Sequence, residues 1–135
     1  MNLQEHGKKL IEEAQSIYTR DLQSAIETKD YNIAIRRAHE AVELSLKGAL
    51  KIMDTDYPKI HDVGIHFAKQ AREKKPGLFS KDVLERIEAV SLWLSQVRTT
   101  SFYFEKGYTE EDAKNASADA AFVLEQVQKL LVEPA

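Results

Sequence analysis

Cysteine is absent from this chain of 135 residues. Disulfides, thiolate metal sites and a cysteine nucleophile are therefore excluded. Glycine occurs five times and proline three times, with long stretches free of both. Such sparse punctuation disfavours a turn-rich β-fold and favours helices. An excess of basic charge is lacking too: 19 basic and 22 acidic residues leave a net charge of -3, so no global field advertises nucleic acid, although a local basic patch stays open. The opening residues, Met1-Asn2-Leu3-Gln4-Glu5-His6, hold no apolar signal core, and no uncharged run approaches membrane-spanning length. A cytoplasmic protein with no membrane partner is the expectation. There is no glycine-rich phosphate loop and no G-x-G-x-x-G, so a nucleotide would have to be held by side chains and helix ends.

What remains is a pattern of helices. The length suits one domain covering residues 1–135, and a chain of this size buries roughly two-thirds of its unfolded surface without help from a metal. Leu10, Ala14, Ile17, Tyr18, Leu22, Ala25 and Ile26 recur at helical spacing and predict a first helix from Leu3 to Glu27. Asp30 is placed to cap a second helix that runs to Met53. Its apolar stripe, Ile35, Ala38, Val42, Ala49 and Met53, is widened by Ala34, Ala41 and Leu46, as expected of a helix with partners on both flanks. A shorter third helix is expected over Asp62 to Glu73. The fourth should start at an N-cap Ser80, with Phe79 stapling against Leu84, and should continue through Val83, Ile87, Val90, Leu94, Val97 and Ser101. Thr109-Glu110-Glu111-Asp112 opens the fifth, whose buried face reads Ala113, Ala116, Ala120, Val123, Val127 and Leu131. The expected fold class is all-α, a five-helix antiparallel up-and-down bundle with a four-helix core and one short helix.

The second helix and its exit carry a recognisable order of motifs. Asp30-Tyr31-Asn32-Ile33-Ala34 is followed by Ala38-His39-Glu40-Ala41-Val42-Glu43-Leu44-Ser45-Leu46-Lys47-Gly48-Ala49-Leu50, and then by Tyr57-Pro58-Lys59-Ile60-His61-Asp62. This resembles the HEPN family, the nucleotide-binding domains of higher eukaryotes and prokaryotes. Arg98-Thr99-Thr100-Ser101-Phe102-Tyr103 and the rhythm ending in Val127-Gln128-Lys129-Leu130-Leu131 fit the same family, so the likeness covers nearly the whole chain. It implies a helical bundle, usually a homodimer. Relatives include ribonuclease toxins of toxin–antitoxin pairs and partners of minimal nucleotidyltransferases, so a nucleotide, RNA or such a transferase is the implied partner. No cofactor is implied.

Active members resemble one another in an arginine followed, after four to six residues, by a histidine. Metal-independent RNA cleavage needs a base near the 2′-hydroxyl and a cation for the phosphate charge that builds in the transition state. Arg98 suits the second role, because its planar fork matches phosphate. At the histidine position stands Tyr103, and no histidine follows His66. A phenol with an ordinary pKa near ~10 is a poor base at neutral pH. Five residues on a regular helix also turn about 140° beyond a full revolution, which separates Arg98 and Tyr103 unless the helix ends between them. These two are the catalytic candidates; Glu43, Lys47, His61 and Arg98 are the candidate ligand-binding residues.

Bland readings stand beside these. Glu43 and Lys47, four apart, make an ordinary helical ion pair. His61, Asp62 and His66 lack a third well-placed ligand in the local pattern, so no metal site is expected. His39, on the apolar stripe, reads as a satisfied core or interface histidine. The basic groups Arg36, Arg37, Lys47 and Lys51, and Lys69, Arg72, Lys74 and Lys75, are interleaved with acids and read as solvated helix faces. Three functions follow: a non-catalytic binding module for a nucleotide, RNA or a minimal nucleotidyltransferase; a metal-independent ribonuclease toxin using Arg98; or a scaffolding homodimer.

Overall fold

The first helix begins where Asn2 accepts the amide of Glu5 at 2.8 Å, satisfying one of the donors a helix start leaves open. In the computed structural model, which describes residues 1–102 and 107–132, this helix runs through Leu3–Ser16, widens into a π turn at Ile17–Leu22 and resumes at Gln23–Glu27. The expected span is borne out, but its regularity is not. Ile17 and Leu22 are both buried although they are five residues apart. An α-helix would turn them about 140° away from each other, whereas the i→i+5 bonding of a π turn keeps both on the core side. Gln23 reinforces the turn by donating to the Tyr18 carbonyl (3.1 Å) and to Ser117 Oγ of the fifth helix (3.3 Å). Ile11, rather than the Leu10 of the expected stripe, fills the core.

Lys29 takes a left-handed backbone (φ 63°) between the first two helices. Asp30 sits at the cap position of the second helix, Tyr31–Ile52, and its carbonyl accepts the Ala34 amide at 2.9 Å. Its carboxylate does not cap as expected: it accepts the Thr28 hydroxyl at 2.6 Å instead. The second helix is the centre of the bundle and packs against the other four. Ala34, Ile35, Ala38, Ala41, Leu46, Ala49 and Leu50 lose essentially all solvent contact. Each large aliphatic among them contributes about 1.5–3 kcal/mol relative to an exposed position. The small residues allow close crossing. A Cβ added to Gly48 would lie 2.6 Å from the Gly7 carbonyl oxygen, so the first two helices meet backbone to backbone there. The second helix ends with Lys74 of the third donating to the Met53 carbonyl at 2.7 Å, a cation placed where the helix dipole favours it.

The third helix, Gly64–Lys74, starts two residues later than expected. Asp62 is engaged across the bundle, accepting the Ser91 hydroxyl at 2.7 Å and the Gly64 amide at 3.3 Å. Phe67 packs edge-on against Phe79, with ring centres 5.6 Å apart. The fourth helix, Lys81–Phe102, is capped as read from the sequence, with Ser80 Oγ accepting the Val83 amide at 3.2 Å and Phe79 and Leu84 both buried. The fifth, Glu110–Val132, opens on a reciprocal box: Asp112 N donates to Thr109 Oγ1 (3.2 Å), and Thr109 N to Asp112 Oδ2 (2.9 Å). Every regular element among the described residues is helical, and together they form the five-helix bundle.

Candidate functional site

His39, Glu43 and Lys47 follow one another at four-residue intervals, so the second helix aligns them in a single row. The segment leaving that helix folds back over the row. Tyr57 lies beneath the ammonium groups of Lys47 (5.1 Å) and Lys51 (5.0 Å), cation–π contacts that pin the segment to the helix. Four residues later His61 reaches the carboxylate at the middle of the row.

Glu43 is the hub. Its Oε2 accepts Lys47 Nζ at 2.7 Å and its Oε1 meets His61 Nδ1 at 2.9 Å. Arg98, from the fourth helix, places Nη1 3.4 Å from His61 Nε2. A guanidinium only donates, so Nε2 is the acceptor in that contact. The proton of a neutral His61 then resides on Nδ1 and is donated to Glu43. His39 completes the group, its Nε2 3.6 Å from Glu43 Oε1 and its ring edge-on to His61 with centres 5.7 Å apart.

Burial is graded across the site. His39 is 1% exposed, the Glu43 and Lys47 side chains 15% and 13%, and the His61 side chain 57%. The gradient runs from the packed interior to a solvent-facing imidazole, with Arg98 partly buried beside it. Burial works to raise the Glu43 carboxyl, but the hydrogen bonds from Lys47 and His61, with the charge attraction of Lys47 and His39, together hold the group below its ordinary value. His39 is pushed down to about 4, mainly by burial. Arg98 and His61 push the same way, and attraction to Glu43 offsets only part of the effect.

The four residues read as ligand-binding, Glu43, Lys47, His61 and Arg98, thus lie in one connected chain of contacts. Tyr103, the other catalytic candidate, lies outside the described residues. His61, Asp62 and His66 do not converge: Asp62 turns to Ser91, His66 is exposed, and His61 turns to Glu43. His39 corrects the sequence reading, for it is buried but not satisfied. Neither ring nitrogen makes a hydrogen bond of ordinary length: Nε2 faces Glu43 Oε1 at 3.6 Å, and the His61 backbone is the ring's other polar neighbour. The signal that could have found it was its four-residue spacing from Glu43, the same spacing that revealed Lys47. On the basic faces, Arg37, Arg72 and Lys74 stay accessible to solvent: Arg37 pairs with Glu40, Arg72 with Glu88, and Lys74 with the end of the second helix.

The chain is thus a five-helix bundle in which an ammonium and two imidazoles surround one carboxylate and a guanidinium reaches one of those imidazoles. A family model described as HEPN domain matches residues 7–130, and the chain belongs to the HEPN family. Comparisons with curated proteins and with solved structures gave no match. Among the described residues, no helix is long and apolar enough to cross a membrane.

Proposed function

We propose that this HEPN module binds the phosphate of a nucleotide or of an RNA strand at Arg98 and Lys47, with Glu43 holding Lys47 directly and orienting Arg98 through His61. The observation that supports it best is the contact of Arg98 Nη1 with His61 Nε2 at 3.4 Å. It puts a planar phosphate-binding fork beside an exposed imidazole whose other nitrogen is anchored on a carboxylate. Charge-assisted hydrogen bonds of this kind contribute about 1.5–3 kcal/mol each, so Arg98→Ala should weaken binding by roughly 10- to 150-fold. Titration of the protein with AMP, ATP and a short single-stranded RNA, followed by NMR and calorimetry, tests this. Absence of any saturable shift with all three would sink the reading. As in the family at large, the working unit is proposed to be a homodimer, with a minimal nucleotidyltransferase as the protein partner; sedimentation of the purified chain tests the first point.

The same contact favours a second reading, metal-independent RNA cleavage. Tyr103, at the position of the motif's histidine, is a poor base at neutral pH, whereas the imidazole of His61 suits that role. Its Nε2 would take the 2′-hydroxyl proton while Arg98 stabilises the charge building on the phosphate, and Glu43 would hold the tautomer this requires. Incubation with RNA in a chelator distinguishes the readings. Cleavage abolished by both Arg98→Ala and His61→Ala marks an enzyme of the ribonuclease-toxin type; binding without cleavage marks the non-catalytic module.

A further inference from the structure

His39 is the feature that the phosphate reading leaves unused. Its imidazole is 1% exposed, makes no hydrogen bond of ordinary length, and faces Glu43 Oε1 at 3.6 Å from Nε2 and the backbone of His61. One donor atom from each of His39, Glu43 and His61 lies within 4.8 Å of the other two. We propose that these three side chains form a binding site for a divalent transition-metal ion of the zinc type, and that occupation of this site excludes the Arg98–His61 contact. The binding half of the proposal stands whether or not the phosphate reading holds.

The donor set is two imidazole nitrogens and one carboxylate oxygen, which suits zinc and its first-row neighbours rather than calcium or magnesium. Zinc bonds of about 2.0–2.2 Å in a tetrahedron place neighbouring donor atoms about 3.4 Å apart. Glu43 Oε1 lies 3.6 Å from His39 Nε2 and 2.9 Å from His61 Nδ1, and all three donors lie within 4.8 Å of one another, so a rotation of the exposed His61 would close the set. His39 and Glu43, four apart on one helix, form the rigid part of the site. His61, on the exposed segment, is the part able to move and admit the ion from solvent. Lys47 is on the other carboxylate oxygen, Oε2, so Oε1 remains available as a ligand.

The exclusion follows from the tautomer. While Arg98 donates to His61 Nε2, the proton occupies Nδ1, the nitrogen a metal would take. Coordination at Nδ1 sends that proton, through solvent, to Nε2, which changes from acceptor to donor and faces the guanidinium donor to donor. The ion also adds positive charge beside Arg98. Both effects set the metal against the Arg98 contact.

The test is zinc calorimetry on the untagged full chain without phosphate or nucleotide, with cobalt as a spectroscopic stand-in and imidazole nitrogen NMR to identify the ligating atoms. One ion per chain is expected, with His39 and His61 signals shifting. His61→Ala, an exposed position that leaves the core intact, should weaken zinc at least ~10-fold, as should Glu43→Gln. His66→Ala should leave affinity unchanged. Arg98→Ala should tighten zinc while weakening phosphate ligands, an opposition that no merely structural role would produce. Absence of binding, insensitivity to His61→Ala, or loss of binding in His66→Ala would overturn the site. A weakening of zinc in Arg98→Ala would overturn the exclusion. Failure of the phosphate reading would appear instead in the metal-free nucleotide titration.

Discussion

His39 makes the stability of the whole chain depend on pH. Its conjugate acid has a pKa of about 4 in the folded protein, against an ordinary value of 6.5. Between those values the unfolded chain binds the proton and the folded one does not. Stability is therefore undiminished above pH 6.5 and falls as the pH drops toward 4, by roughly 3 kcal/mol in total if nothing relaxes. Urea unfolding across this range should show the slope, and His39→Gln should remove most of it. Glu43 adds a loss of the same sign at lower pH, because its depressed carboxyl protonates in the unfolded chain first. How much of this was legible depended on sequence distance. The Glu43–Lys47 pair follows from helical spacing alone. The meeting of His61 with Glu43 spans 18 residues and that of Arg98 with His61 spans 37, so both depend on how a loop returns and which helices adjoin. No local pattern encodes those distances. The resemblance singled out the residues; the folded chain supplied their contacts.

At the level of helices, starts were easier to read than irregularities. Ser80 and the Thr109–Asp112 box cap as their residue types dictate, because capping is a contact within one turn. Asp30 and Asp62 depart from expectation because each carboxylate found a hydroxyl partner, Thr28 and Ser91. The crossing of the first two helices is equally specific. Gly48→Ala would improve helix propensity by about 0.8–1 kcal/mol at an exposed site. Here the new methyl would meet the Gly7 carbonyl at 2.6 Å and Ile11 at 2.8 Å. A net loss of about 1–3 kcal/mol is expected, seen as a lower midpoint in thermal unfolding. Gly7→Ala strains the same crossing from the other side, and the double variant should cost less than the sum.

Across the whole molecule, the candidate site is assembled from the second helix, the segment after it and the fourth helix, which meet only in the folded bundle. A variant such as Gly48→Ala should therefore reduce ligand binding only in proportion to the fraction folded, leaving the affinity of folded molecules unchanged. Calorimetry below and within the thermal transition separates the two quantities. The overall architecture was legible because one broad apolar stripe, on the second helix, already implied neighbours on both sides.

The first helix has a different kind of record in its π turn. Its buried hydrophobic side chains fall at 11, 14, 17, 22 and 25. Remove a single residue between Ile17 and Leu22, and the last two shift back by one, giving steps of three, three, four and three, the rhythm of an uninterrupted α-helix. The turn is thus equivalent to one supernumerary residue spliced into an otherwise regular rod and absorbed as a local bulge. Deleting the exposed Thr19 should leave a folded protein with a near-normal unfolding midpoint, whereas deleting one residue from the middle of the second helix should abolish folding; circular dichroism of the two deletions distinguishes an absorbed insertion from an indispensable one.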